Sequence, residues 1–218
     1  MKLKAALFDM DGTLVNSMDD LAQATNYAIK KHGFPERPAE NYGKYAGNGI
    51  YVMIERALYP AKVSEEELKE IRNDFFGYYE SHCTVNTYAY EGVPELIRKL
   101  EAKGIKVGCI TNKVDKIAHD IINHFFSGMD IVYGQIDGKP NKPDPYFVSK
   151  ALEEFGIKPE ECAFIGDSDV DMQTAENSGT VGIGVLWGFR SAEELKSNGA
   201  RYLVSRASEI LEVFQNHE

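Results

Sequence analysis

The sequence predicts an α/β protein, a doubly wound parallel sheet with an inserted all-helical subdomain. Three observations carry this expectation. Short apolar runs recur at residues 5–8, 107–110, 131–133, 162–165 and 181–185. Helical patterns separate the later runs, and strands alternating with helices imply a parallel sheet covered on both faces. Between the first two runs, from about residue 17 to residue 80, helical spacing recurs and no good strand pattern occurs.

Taken in order, the chain opens Met1-Lys2-Leu3-Lys4 and then Ala5-Ala6-Leu7-Phe8. Asp9 and Asp11 cut this apolar run short, and no small-residue cleavage site follows, so it does not read as a signal peptide. Leu21, Ala24, Thr25, Ala28 and Ile29 then recur at helical spacing. So do Val52, Ile54 and Leu58, and further on Leu68, Ile71, Phe75 and Tyr78. Ser64-Glu65-Glu66-Glu67 is a capping-box signature for the last of these helices. Three to four helices placed here define a helical subdomain over residues 16–86, set into an α/β core of residues 1–15 and 87–218. Hinges are expected near residues 15–17 and 86–91. Gly92-Val93-Pro94 opens a helix over 94–101, since proline is accepted in a first turn. Helices over 116–124, 146–155 and 172–177 follow. A strand over 201–204 and a helix over 208–214 close the chain.

A chain of 218 residues, 43% hydrophobic and 27% charged, can bury a sizeable core. The net charge is −10, from 24 Lys and Arg against 34 Asp and Glu. That excludes a general nucleic-acid or membrane-surface binder, which needs a basic face. An anionic ligand must instead be drawn in by a few placed cations or a metal. No stretch approaches the ~20 apolar residues of a membrane span. Cys83, Cys109 and Cys162 are odd in number and lack CxxC spacing, so three reduced thiols in a cytoplasmic protein are expected.

Ligands of open parallel sheets bind at the carboxyl edge, so the residues after each strand hold the chemistry. The first run ends in Asp9-Met10-Asp11-Gly12-Thr13. Two close carboxylates repel and desolvate badly unless a cation relieves them. An Asp-Gly turn with solvated acids is the plainer alternative. The fourth run ends in Gly166-Asp167-Ser168-Asp169-Val170-Asp171. Asp167 and Asp171 come together if a helix begins here, and Asp169 reads as a cap or first-turn acid. Two acidic loops on neighbouring strands form an oxygen-lined site that suits magnesium. The second run ends in Thr111-Asn112-Lys113, which offers a hydroxyl and amides to a phosphate oxygen or, more plainly, a helix cap. Lys142 lies in the proline-punctuated loop Gly138-Lys139-Pro140-Asn141-Lys142-Pro143 and can neutralise carboxylates and phosphate alike.

In order, these residues resemble the four motifs of the haloacid dehalogenase superfamily: Asp9-Met10-Asp11-Gly12-Thr13, Thr111-Asn112, Lys142-Pro143, and Gly166-Asp167-Ser168 with Asp171. The helical insertion is similar to that family's cap on its Rossmann-like core. Gly47-Asn48-Gly49 with Arg56-Ala57-Leu58, and Trp187-Gly188-Phe189-Arg190 with Gly199-Ala200, resemble the phosphoglycolate phosphatase group. The resemblance implies a magnesium-dependent phosphatase in which Asp9 attacks phosphorus and forms an aspartyl-phosphate. Asp11 then serves as acid and base. Asp9, Asp167 and the Asp11 main-chain carbonyl hold the metal, and Thr111, Asn112 and Lys142 hold the phosphoryl group. Gly12, Ser168 and Asp171 support the site, and Lys44, Asn48 and Arg56 are candidate substrate contacts. Asp11 itself favours phosphoryl transfer, because a dehalogenase needs neither a second acid nor a metal.

The implied substrate is a small phosphorylated metabolite, with 2-phosphoglycolate first. Pyrophosphate, nucleotides and sugar phosphates, or a phosphomutase reaction, are alternatives within the superfamily. A phospho-acceptor signalling domain shares the acid pocket, Thr and Lys, but is a much shorter chain. Neither nucleic acid nor membrane is an expected partner, and the resemblance allows a monomer or a homodimer. Tyr42, Tyr45, Tyr51, Tyr78 and Tyr79 read as packing residues. His32, His82, His119, His124 and His217 lack ligand spacing.

Overall fold

Ala5, Ala6, Leu7 and Phe8 are all buried, as in a strand covered on both faces, and form β1 (Ala5–Phe8). The two-residue β2 (Val15–Asn16) follows. The computed structural model describes residues 2–45 and 49–217. It divides into two compact units, one of Met1–Asn16 and Ala89–Glu218, the other of Ser17–Tyr88.

The second unit is helical: α1 (Met18–Lys31), α2 (Tyr42–Tyr45), α3 (Ile50–Leu58) and α4 (Glu65–Tyr79). Its core is the packing of α1 on α4, where Leu21, Ala24, Ala28 and Ile29 are buried with Leu68, Ile71 and Phe75. Ser64 starts α4 by accepting the Glu67 N–H at 3.2 Å. Tyr42 is buried, and its hydroxyl donates to Asn26 Oδ1 at 2.8 Å. Asp20, in the first turn of α1, accepts hydrogen bonds from the N–H groups and side chains of Asn86 and Thr87 at 2.7–3.0 Å. Both ends of this unit are thereby tied together.

The α/β unit resumes at Ala89, the second residue of β3 (Tyr88–Ala89). There follow α5 (Val93–Ala102), β4 (Lys106–Val114), α6 (Asp115–Phe125), β5 (Ile131–Gln135) and α7 (Tyr146–Phe155). The chain ends with β6 (Cys162–Gly166), α8 (Asp169–Ser178), β7 (Val181–Val185), α9 (Ala192–Ser197), β8 (Tyr202–Val204) and α10 (Ala207–Asn216). Six strands form a parallel sheet in the order β5-β4-β1-β6-β7-β8. Strand order reverses around β1, which places a ligand crevice at the carboxyl ends of β4, β1 and β6. One core cluster joins Leu7, Ile110 and Phe164 of these strands to Phe147, Val148, Ala151 and Leu152 of α7.

Two local expectations are corrected. The second strand does not stop at residue 110: after a register shift β4 pairs again with β5 at Val114 and Gln135. Thr111, Asn112 and Lys113 are therefore strand residues, and α6 is entered from Val114. The helix expected over 172–177 begins at Asp169, because Ser168 caps it and draws the acids into its first turn.

Candidate active site

Asp9 extends β1 by one residue, its N–H donating to the Ile165 carbonyl at 2.8 Å. The chain then turns sharply, and the Met10 carbonyl accepts from the N–H groups of Thr13, Leu14 and Val15. Gly12 sits in this turn at φ +87°, in the left-handed region. A Cβ there would also overlap the Asp167 carboxylate, so both the backbone conformation and the space demand glycine.

Two distant segments deliver Lys142. Asn112 on β4 donates to the Lys142 carbonyl at 3.1 Å and accepts the Lys142 N–H at 2.8 Å. The Lys142 ammonium then lies 2.7 Å from Asp9 Oδ1 and 2.7 Å from Asp171 Oδ1. Asp171 is wholly buried, and its second oxygen completes the α8 capping box by accepting from the N–H and hydroxyl of Ser168. One carboxylate thus starts a helix and fixes a lysine.

Asp167 is held on both sides. Its Oδ1 accepts the Thr13 hydroxyl at 3.0 Å, and its Oδ2 accepts the Phe189 N–H at 2.8 Å. Gly188 packs so closely on Asp167 that a Cβ would overlap it. Trp187 donates its indole N–H to the Thr13 carbonyl at 3.1 Å, tying this loop to the turn after β1. Asp11 is directed elsewhere: its Oδ2 lies 3.1 Å from the Lys113 ammonium. Thr111 is buried, and its hydroxyl oxygen accepts the Lys113 N–H at 3.2 Å.

The structure therefore brings Asp9, Lys142, Asp167 and Asp171 together at the switch point, with Gly12 and Ser168 as their supports. Thr111, Asn112 and Asp11 lie on the same strand ends. Lys44 is exposed in α2. Arg56 donates to the Tyr45 carbonyl at 2.9 Å, so its guanidinium holds the helical unit together locally. Asn48 lies outside the described residues. Asp169 is not the cap of α8 but its first residue, 3.6 Å from the Arg190 guanidinium. The sequence motifs contain Thr13 and Lys113 but assign neither a role, and they do not point to the Phe189 amide. Lys113 had a signal, since it directly follows Thr111-Asn112. The Phe189 amide had none, because a main-chain donor is invisible in composition.

Charge in this pocket is uneven. Asp9, Asp167 and Asp171 can each offer an oxygen within 4.8 Å of the others, and Lys142 is the ammonium that touches two of them. Burial first, and then the Asp171 carboxylate, push Asp9 up to about 7 although Lys142 pulls it down. Burial and the neighbouring Asp171 and Asp9 charges likewise drive Asp167 well above the usual carboxylate range. Burial alone would lower the Lys142 pKa, but Asp171 and Asp9 reverse this and raise it. Three buried carboxylates against one ammonium fit a hard cation with oxygen ligands. Asp171 gives one oxygen to the Lys142 ammonium and the other to two Ser168 donors, whereas each Asp167 oxygen takes a single neutral hydrogen bond and keeps a lone pair for such an ion beside Asp9.

Residues 6–185 match the family model of the haloacid dehalogenase-like hydrolases. The chain is 32% identical to a phosphoglycolate phosphatase of Aquifex aeolicus (strain VF5), over 99% of this chain and 98% of that one. It is 29% identical to the N-acetylmuramic acid 6-phosphate phosphatase of Pseudomonas aeruginosa, over 98% of this chain and 95% of that one. A crystal structure of a predicted phosphoglycolate phosphatase from Haemophilus somnus 129pt superposes with a TM-score of 0.89 at 26% identity, covering 98% of both chains. The chain belongs to the haloacid dehalogenase-like hydrolases and is a phosphoric monoester hydrolase.

Proposed function

From this family membership, we propose that the chain is a magnesium-dependent phosphatase whose nucleophile is Asp9 and whose substrate is 2-phosphoglycolate. The observation that carries the reading is Lys142 bridging Asp9 and Asp171 beside Asp167. A phosphoryl group arriving at Asp9 meets an ammonium already held beside that carboxylate, and positioning with charge stabilisation is most of this chemistry.

In the reaction, an Asp9 oxygen bonds to phosphorus as the ester P–O bond breaks, giving an aspartyl-phosphate. Asp11 gives its proton to the departing oxygen. It then takes a proton from the water that attacks phosphorus, and orthophosphate and free Asp9 result. Thr111 and Lys142 hold the phosphoryl oxygens, Asn112 holds the Lys142 loop, and Asp171 keeps Lys142 in place. Asp9, Asp167 and the Asp11 main-chain carbonyl would hold magnesium, which when bound offsets carboxylate–phosphate repulsion. The helical unit serves as the family's cap. Two names among the relatives, a phosphoglycolate and a sugar-acid phosphate phosphatase, support a small phosphorylated metabolite. A cytoplasmic setting agrees with three buried, unbridged cysteines. No helix among the described residues is long and apolar enough to cross a membrane.

The deciding experiment measures phosphate release from 2-phosphoglycolate, pyrophosphate, a nucleoside monophosphate and sugar phosphates, with magnesium and with chelator. Magnesium-dependent release led by 2-phosphoglycolate is expected, together with a phosphorylated Asp9 peptide after acid quench. Full turnover by Asp9→Asn would refute the nucleophile assignment.

A further inference from the structure

Two lysines are buried at the carboxyl edge of the sheet, and they are placed differently. Lys142 contacts Asp9 and Asp171, on the side where the phosphoryl group is attacked. Lys113 sits on the extension of β4 with 8% of its surface exposed. Its ammonium lies 3.1 Å from Asp11 Oδ2, the group assigned to the leaving oxygen. Thr111 fixes the start of the Lys113 backbone through its hydroxyl, so the stem is rooted in the sheet and not in a mobile loop. Lys142, the cation assigned to the phosphoryl oxygens, contacts the nucleophile Asp9. A second buried ammonium on the leaving-group side answers a charge that the leaving alcohol itself carries.

We propose that Lys113 is a specificity-determining residue, and that its ammonium receives a carboxylate borne one carbon from the ester oxygen of the substrate. This deepens the proposed function and rests on it. An ammonium 3.1 Å from the carboxylate assigned to the ester oxygen is placed to meet an acid group on the carbon that bears that oxygen. The substrate class is therefore the 2-phosphorylated 2-hydroxy acids, of which 2-phosphoglycolate is the smallest. A buried charge-assisted hydrogen bond of this kind discriminates strongly against an uncharged analogue, because the site's desolvated ammonium gains nothing from a methyl group.

Ethyl phosphate supplies that analogue, with a methyl group in place of the carboxylate. The full chain is assayed with magnesium on both esters, as wild type, Lys113→Met and Lys113→Arg, and with glycolate as a product inhibitor. Wild type is expected to prefer 2-phosphoglycolate. In Lys113→Met the ratio of kcat/KM between the two esters falls by about 10-fold or more, chiefly through KM, and inhibition by glycolate weakens in parallel. Lys113→Arg keeps most of the ratio. Residual turnover of ethyl phosphate reports that each variant is folded. An unchanged ratio in Lys113→Met, whatever loss the two esters share, overturns the proposal and leaves the phosphatase reading intact. So does a wild type that does not distinguish the two esters. A wild type that releases phosphate from no phosphomonoester overturns both together.

Discussion

Asp20 and Asp167 are each only 1% exposed, yet they are compensated in opposite ways. In the helical unit, Asp20 is surrounded by neutral donors, the N–H groups and side chains of Asn86 and Thr87. Five hydrogen bonds reach its two oxygens. In the α/β unit, Asp167 has a hydroxyl and an amide, but Asp9 and Asp171 crowd it and one lysine serves the other two. Burial of a carboxylate is therefore no mark of a site. The mark is burial with charge left over, which folding tolerates and a ligand can relieve.

The contrast makes predictions that can break it, beginning with the largest effect. Asp9→Asn should lower kcat by about 10⁴-fold, as loss of a nucleophile does. The same variant should melt a few degrees higher than wild type in chelator, because a repelled charge has been removed. A lower melting temperature would mean that the cluster is compensated after all. Asp20→Ala should do the reverse and cost about 3 kcal/mol in denaturant unfolding, by stranding buried amides of Asn86 and Thr87. A loss under 0.5 kcal/mol would show the clasp to be idle.

A pH titration sharpens the comparison further. The folded Asp9 pKa is raised to about 7 from 3.8, so the native state binds its proton more tightly than the unfolded chain. Stability of the chelated protein should then fall as pH rises from about 4 to about 7, by up to a few kcal/mol. Excess magnesium should flatten this slope, since an ion bound to the native state stabilises the charged form. A slope of the same size in Asp9→Asn would assign it to other groups. The smallest effect is expected from Trp187→Phe, which removes the indole bond to Thr13 and leaves the ring. It should cost about 1 kcal/mol of stability and a few-fold in kcat/KM. No change in either would detach this loop from the turn after β1.

Much of the site is legible in the sequence. Acids immediately after two apolar runs, a Thr-Asn after a third, and a lysine among prolines form an ordered pattern that needs no distances. The helical stretch was equally plain from its 3.6-residue spacing. Other features were not readable, for identifiable reasons. Lys113 meeting Asp11 depends on β4 continuing past residue 110, which a register shift against β5 decides. Asp20 is indistinguishable in the sequence from any first-turn acid of a helix, since its partners lie 66 and 67 residues away.

By itself, then, the sequence determined which chemistry is on offer: an α/β sheet, carboxylates and lysines at its strand ends, and a helical insertion. These are matters of local composition and period, set by how few residues make a strand or helix. Only tertiary structure decided which charges share a pocket. Lys142 meets Asp171 across 29 residues and also reaches back to Asp9 near the start of the chain, and Asn112 steers it across 30. Coulomb and desolvation energies depend on separation in space and on the exclusion of water, and neither quantity exists until the sheet has formed.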